Sequence, residues 1–129
     1  MSIFKIDPQT GERTTISFYC CNYNYGIAVD SKGEIYTTSI LGLGGVVFQI
    51  DPSTGNRTIV SQGGYLSIPK GIAIDSTGQI LVTDDAGLIK IDPTTGIQTL
   101  LASSPIDPVS GLAPWGIAIV PGGPNGPKK

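Results

Sequence analysis

Histidine is absent from the 129-residue chain, and charged residues make up only 14% of it. Without histidine the chain has no Ser–His–Asp or Cys–His nucleophile and no histidine-ligated zinc. The net charge of −2 comes with no basic run apart from Lys128 and Lys129, so the clustered lysine and arginine of a nucleic-acid-binding surface are missing. No apolar run approaches the ~20 residues that span a bilayer, and the start MSIFKID does not resemble a signal peptide. We therefore expect a soluble chain with neither nucleic acid nor membrane as a partner, and its compartment stays open.

Cysteine occurs twice, as the adjacent pair Cys20 and Cys21. A disulfide needs Cα atoms about 4.4–6.8 Å apart, whereas neighbouring Cα atoms lie about 3.8 Å apart, so the two do not easily bridge each other. We interpret them as ordinary thiols in a loop, with an inter-subunit disulfide or a metal thiolate as open alternatives. Neither has an evident base. The stretch LGLGG from Leu41 is a lone glycine-rich turn with no helical pattern after it, so it does not predict a phosphate-binding loop.

Glycine (18) and proline (10) are plentiful, which favours many short strands joined by tight turns. Two phrases alternate along the chain. One is KIDPQTGERT from Lys5, QIDPSTGNRT from Gln49 and KIDPTTGIQT from Lys90; the other is GIAVDSKGEIYTTS from Gly26, GIAIDSTGQILVTD from Gly71 and GIAIVPGG from Gly116. Both recur at intervals of 41 to 45 residues. A period in the low forties with two hairpin-like turns per unit predicts four-stranded propeller blades.

Each unit is predicted to contain four strands, A to D. GIAID predicts an innermost strand A buried on both faces, and QILVT, LIKI and IQTLLA predict strands B, C and D. The DPxTG phrase between C and D suits a type I turn, because proline presets φ, the aspartate accepts backbone N–H groups and the glycine takes a positive φ. We therefore interpret Asp7, Asp51 and Asp92 as turn formers and not as metal ligands.

These phrases resemble the blades of NHL-type and gluconolactonase (senescence-marker-protein)-type six-bladed β-propellers. In those proteins GIAVDxxGxIYVTD forms the A–B hairpin and VxxIDPxTG forms the C–D hairpin. The match covers nearly the whole chain and implies blade architecture. It implies no single function, because such propellers include lyases, lactonases, and protein- and RNA-binding modules.

The predicted fold class is all-β, a half-propeller of about three blades over residues 1–120. Strands C and D lie in 1–18, full blades in 26–61 and 71–102, and a lone strand A from Trp115 to Val120, followed by a flexible tail at 121–129. Because closed propellers have about four to eight blades, we predict that two copies close a six-bladed ring as a C2 homodimer whose monomer is not stably folded. No strand B is evident for the blade shared between the copies. A fragment of a longer propeller and an engineered half-propeller that only self-assembles are the alternatives.

The repeats agree at the A–B and C–D turns and diverge at the D–A and B–C loops. We therefore expect variable loops presented on one face. That face collects amphipathic and polar side chains that could grip a sugar, a peptide or another small molecule, and packing between blades is the alternative role of its aromatics. The candidate ligand-binding residues at the channel rim are Tyr23, Asn24, Tyr25, Tyr65, Lys70 and Trp115.

Asp84 and Asp85 end a predicted strand B on the same face and are the candidate metal ligands. In gluconolactonase-type propellers a divalent cation lies in the channel on Glu, Asn and Asp, and the resemblance puts Asn24 near such an asparagine. Lys70 opposes a cation through like-charge repulsion. We predict no cofactor, with Ca²⁺ as the alternative, and a non-catalytic binding and scaffold module, with a metal-dependent lactonase or hydrolase as the alternative.

Overall fold

The computed structural model describes residues 2–18, 23–103 and 116–119. Over these ranges it contains ten β-strands and no helix, and hence no helix long and apolar enough to cross a membrane. The strands are β1 Ser2–Ile6, β2 Arg13–Phe18, β3 Asn24–Val29, β4 Ile35–Leu41, β5 Gly44–Ile50, β6 Arg57–Gln62, β7 Ile72–Ile74, β8 Ile80–Asp84, β9 Gly87–Ile91 and β10 Gln98–Ser103. The prediction of an all-β chain is confirmed.

The strands form three antiparallel sheets, one for each repeat unit. The first is the β1–β2 hairpin, and the other two have four strands each, in the chain orders β3-β4-β5-β6 and β7-β8-β9-β10. Within each sheet every strand pairs with the next one along the chain, so short turns make the connections and each sheet forms from local contacts. This is the A-to-D order that the sequence predicts for a unit.

The last strand of each sheet carries a bulge at the same repeat position. The pairing register shifts so that Ile16 of β2, Val60 of β6 and Leu101 of β10 have no partner across the ladder. A bulge bends its strand and increases the local twist. The three units therefore share backbone detail as well as strand order.

The β3–β6 sheet lies between the other two sheets and packs against one of them on each face. Successive residues of a strand point to opposite faces, so Ile35 packs with Ile3 of the hairpin, while the next residue, Tyr36, packs with Ile80 and Ile89 of the β7–β10 sheet. Ile80 and Ile89 are fully buried, and burial of such a side chain contributes about 1.5–3 kcal/mol. The larger core cluster lies between the two four-stranded sheets.

The length difference between the two full units lies in the strands and not in the B–C loop, contrary to the sequence prediction. β4 and β5 have 7 residues each, whereas β8 and β9 have 5 each. Both hairpins turn through two residues, 42–43 and 85–86. Extra residues extend the hairpin because paired strands satisfy backbone N–H and C=O groups that a longer loop would leave to water.

The first strand of each four-stranded sheet is predicted to be buried on both faces, and only β7 approaches this. Burial alternates along β3, where Tyr25, Ile27 and Val29 are exposed, because the two-stranded hairpin provides no strand opposite them. The predicted strand from Trp115 to Val120 is not formed over residues 116–119, which have no ladder partner in the part of the chain that the structure describes. Trp115 and Val120 themselves lie outside the described residues.

Candidate functional site

The Asp–Pro turns are hairpin formers, as predicted. In each, the Oδ1 atom of Asp7, Asp51 or Asp92 accepts hydrogen bonds from the amides two and three residues further on, at 2.8–3.4 Å. The glycine that ends each turn has a positive φ, 74° at Gly11, 76° at Gly55 and 73° at Gly96. These carboxylates are therefore occupied by their own backbone, which explains the repeated phrase without a ligand.

Hydrogen bonds within the turns also lower carboxylate pKa values. The Gln9 and Thr10 amides lower the pKa of Asp7, and the Ser53 hydroxyl and amide lower that of Asp51. At Asp75, burial acts to raise the pKa, but the Thr77 hydroxyl and the amides of residues 79 and 77 together lower it. A carboxylate that accepts several hydrogen bonds is stabilised in its charged form.

Acid should consequently destabilise the fold. Because the folded pKa values of Asp51 and Asp75 lie below the unfolded value of about 4, their contribution to stability is present above that pH and is lost as the pH falls through the folded pKa. The double variant Asp51→Asn/Asp75→Asn retains an acceptor oxygen at each turn and should show a shallower loss of stability between pH 5 and pH 2.5. Urea denaturation midpoints across that range test this, and an unchanged slope would contradict it.

The opposite end of the sheets carries the predicted binding residues that the structure describes, and hydrogen bonds tie its β6–β7 loop to two sheets. Residues 63–70 lie in this loop, and Gly45 of β5 exchanges backbone hydrogen bonds with them, donating to the Leu66 carbonyl (3.1 Å) and accepting from Gly63 N (3.0 Å). Gln98 of the neighbouring sheet accepts from Tyr65 N and donates to the Gly63 carbonyl, at 2.8 and 2.9 Å. Leu66 is buried in the main core. A loop fixed to two sheets can present side chains with little loss of entropy on binding.

Three of the predicted rim residues lie together beside the start of β3. The rings of Tyr23 and Tyr25 stack with their centroids 5.9 Å apart and their planes at 14°. Both rings are exposed, and Asn24 lies between them in the chain and borders the same cavity as Tyr25. Tyr65 is exposed on the 63–70 loop, and Trp115 lies outside the described residues, as do Cys20 and Cys21.

Lys70 and the two aspartates predicted as metal ligands all have partners within the chain. The Lys70 ammonium lies 3.1 Å from a carboxylate oxygen of Asp85. Asp84 is fully buried, and its two oxygens accept from the amides of Ser67 and Ala86, both at 3.0 Å. Within the described residues, no group of three or more histidine, cysteine, aspartate or glutamate side chains comes together as a metal site would require.

Asp84 should therefore matter for stability even with no ligand present. The Asp84→Ala variant leaves the Ser67 and Ala86 amides without their acceptor and should lower the free energy of unfolding by about 2 kcal/mol. Asp85→Ala is the matched control, because the Asp85 side chain is 47% exposed and solvent screens its ion pair with Lys70, so that the loss should be less than about 1 kcal/mol. Urea denaturation of both variants gives the comparison. Equal losses at the two positions would contradict the assignment.

The hairpin has an open flank that its repeat equivalents do not have. Phe4 is 44% exposed, whereas the equivalent Phe48 is 3% exposed; Ile6 is 59% exposed, whereas the equivalent Ile50 is 1% exposed. Phe48 and Ile50 face the sheet that precedes theirs in the chain, the β1–β2 hairpin. The hairpin has no preceding sheet in the part of the chain that is described, so its apolar positions meet solvent.

A groove adjoins this flank, between β1 and β3. We call it the β1/β3 groove; it is lined by Phe4 of β1 and by Tyr25, Ile27 and Val29 of β3. It comprises two adjoining cavities of about 240 and 400 Å³ that share Phe4 and Ile27. Ile27 is 55% exposed, whereas its repeat equivalent Ile72 is 7% exposed. Clustered exposed apolar side chains of this kind mark interaction surfaces.

Neighbouring sheets meet in the same way at both internal boundaries. The Ser17 hydroxyl donates to the Gly55 carbonyl at 3.0 Å, and the equivalent Ser61 hydroxyl donates to the Gly96 carbonyl at 2.8 Å. A Cβ atom on Gly55 or Gly96 would collide with the backbone carbonyl that precedes the serine. The same displacement therefore relates the first sheet to the second and the second to the third.

Phe4 and Ile6 were not among the residues singled out from the sequence. An alignment of the three units does contain the signal, because Phe4 and Ile6 occupy positions whose equivalents face a preceding sheet. The burial of each copy was nevertheless needed to show which copies are covered.

No protein-family model matches this sequence, and a search of curated proteins finds no significant match.

Proposed function

We propose that the chain is a non-catalytic scaffold and binding module, a half-propeller of the NHL or gluconolactonase type that closes a six-bladed ring with a second copy. The observation that carries this proposal is the repeated contact between sheets, Ser17 to Gly55 and Ser61 to Gly96. Sheets that are related by one repeated displacement form either a closed ring or an open helix. The adjacency of β3 and β7, the first strands of their sheets, supports a ring with first strands innermost, because Gly26 of the former lies against the Lys70 carbonyl just before the latter.

The exposed flank supports association between copies. Three units per chain give six in a pair, which lies within the range of about four to eight blades that closed propellers adopt. Phe4, Ile6 and Ile27 occupy positions that are covered in the later units. A second copy placed by the same displacement would cover them, and burial of such side chains is the main favourable term in association.

The loop end supports binding over catalysis. Tyr23 and Tyr25 offer a stacked aromatic surface with Asn24 beside it, and such a surface suits the flat apolar face of a sugar ring or a peptide side chain. Asp84 and Asp85, on which a metal-dependent lactonase would depend, are engaged by backbone amides and by Lys70. A rise in melting temperature with Ca²⁺ that disappears in both Asp84→Ala and Asp85→Ala would favour the lactonase instead.

The solution mass tests the ring. A pair of chains has twice the 13.4 kDa mass of one, and light scattering coupled to size exclusion should give that value at micromolar concentration. Because a partner stabilises the folded state by mass action, the melting temperature should also rise with protein concentration. A folded particle of 13.4 kDa with a concentration-independent melting temperature would overturn the proposal.

Binding at the loop end needs a separate test. Titration with maltose, cellobiose and a proline-rich peptide, each followed by tyrosine fluorescence and by NMR shifts, should perturb residues 23–25 for at least one probe. Tyr23→Ala should abolish that response while leaving the solution mass unchanged. Leu43→Ala is the control at the same end of the molecule, because Leu43 is fully exposed and is not among the candidate binding residues. A response unaffected by Tyr23→Ala would place the ligand elsewhere.

A further inference from the structure

We infer that residues 116–119 of a second copy occupy the β1/β3 groove in the place of a first strand, and that Ala102 of the same copy lies against the Gly11 turn. This assignment rests on the proposed ring and names the contacts at the boundary between the copies. Both contacts follow if the second copy is placed by the displacement that relates neighbouring sheets at the two boundaries within the chain.

The first contact repeats the one between β3 and β7. The Thr38 hydroxyl donates to the Lys70 carbonyl at 2.7 Å. Gly26 lies so close to the same carbonyl that a Cβ atom would collide with it, and that Cβ atom would also lie 3.1 Å from Cγ2 of Ile72. The contact between the first strands β3 and β7 therefore joins Gly26 of β3 to Lys70 and Ile72, the residues on either side of Gly71.

If the contact between β3 and β7 is transferred to the preceding pair of units, it identifies the residues that meet at the boundary between the two copies. Gly116 is the first residue of GIAI, as Gly26 is the first residue of GIAV. Tyr25 and Ile27 are equivalent to Lys70 and Ile72 of the next unit. Tyr25 and Ile27 are exposed and line the groove. No described atom lies within 4 Å of a Cβ atom built on Gly116. Residues 116–119 pair with no sheet within the described residues, and the β1–β2 hairpin lacks the first and second strands of a unit.

The second contact repeats the geometry of the serine-to-glycine hydrogen bonds between sheets. In the alignment of the units, Ala102 of β10 takes the position of Ser17 and Ser61, and Gly11 takes the position of Gly55 and Gly96. Ala102 is exposed, and no described atom lies within 4 Å of a Cβ atom on Gly11. The bulge residue before it, Leu101, is also exposed. At the boundary between copies the alanine contacts the turn but cannot donate the hydrogen bond.

Gly116→Ala tests the first contact. The added methyl group has open space in one chain but would meet the Tyr25 carbonyl of the other copy, and overpacking of this kind should raise the dimer dissociation constant about tenfold to a hundredfold. Gly44→Ala is the matched control, because its Cβ atom makes only ordinary contacts, the nearest at 3.9 Å. Sedimentation velocity across a dilution series gives the constants, and circular dichroism shows that the sheets remain.

Ala102→Ser tests the second contact in the opposite direction. A hydroxyl at this position can donate to the partner's Gly11 carbonyl and should tighten the dimer about threefold to tenfold. Ala86→Ser, which adds a hydroxyl at the β8–β9 turn, should leave the dissociation constant unchanged. A wild-type chain that is monomeric at every concentration would overturn the ring and this assignment together. A wild-type dimer that responds to neither Gly116→Ala nor Ala102→Ser would overturn this assignment alone and leave the ring standing.

Discussion

Replacing Ile27 by glutamate should convert the proposed two-copy assembly into single chains of 13.4 kDa. Ile27 lies in the β1/β3 groove and is 55% exposed in one chain, so the carboxylate stays hydrated there. In the proposed pair it would be buried against an apolar strand, and burying a carboxylate there costs several kcal/mol. The dissociation constant should therefore rise by at least about a hundredfold.

Light scattering and the dependence of melting temperature on concentration measure this effect. Leu43→Glu is the matched control, because Leu43 is fully exposed at the tip of the β4–β5 hairpin and lies on neither flank of the stack. The Ile27→Glu chain should lose the stabilisation that the partner provides, so its melting temperature should fall and become independent of concentration. A variant that remains a dimer, or a control that dissociates equally, would show that the groove is not the contact surface.

Gly96→Ala should strongly destabilise the fold of a single chain. Gly96 has a φ of 73°, a conformation that costs an L-residue about 1–2 kcal/mol. Its Cβ atom would also collide with the Val60 carbonyl of the neighbouring sheet, which is backbone and cannot rotate away. Together these effects should lower the free energy of unfolding by about 3 kcal/mol or more.

Gly78→Ala separates the two causes. Gly78 has a φ of 87° but no described atom lies within 4 Å of its Cβ position, so it should lose only the conformational part, about 1 kcal/mol. Urea denaturation of the two variants at one protein concentration provides the comparison. If both glycines cost the same, the close approach of the sheets at Gly96 would contribute nothing, and the repeated contact between units would lose its energetic basis.

The local structure of this chain was predictable because its signals are local. Asp51, Pro52 and Gly55 specify a turn through hydrogen bonds and dihedral preferences within five residues, and the structure has that turn. Period-2 patterning and the repeat predicted the ten strands that the structure has, together with a strand from Trp115 to Val120 that is not formed over residues 116–119. The strand order followed because each strand pairs with its chain neighbour within a sheet. The lengthened β4–β5 hairpin was not predicted, since a difference in spacing does not say whether the extra residues pair or loop.

The candidate site was predicted less well, because its contacts join different units. The sequence placed Asp84 and Asp85 side by side as equivalent ligands. The structure separates them, burying Asp84 against the Ser67 amide and leaving Asp85 exposed beside Lys70. A residue's partners across a sheet boundary depend on the displacement between sheets, and that displacement is not written in any one stretch of sequence.

By itself, the sequence determined the repeat, the turns, the strand order within each unit and the absence of histidine chemistry, since all of these depend on residue types and short spacings. The tertiary structure alone decided which copies of a repeated position are buried. Phe4 and Phe48 occupy equivalent places, yet one meets solvent and the other a neighbouring sheet. Burial depends on what packs against a face, and packing is a property of the whole stack of sheets.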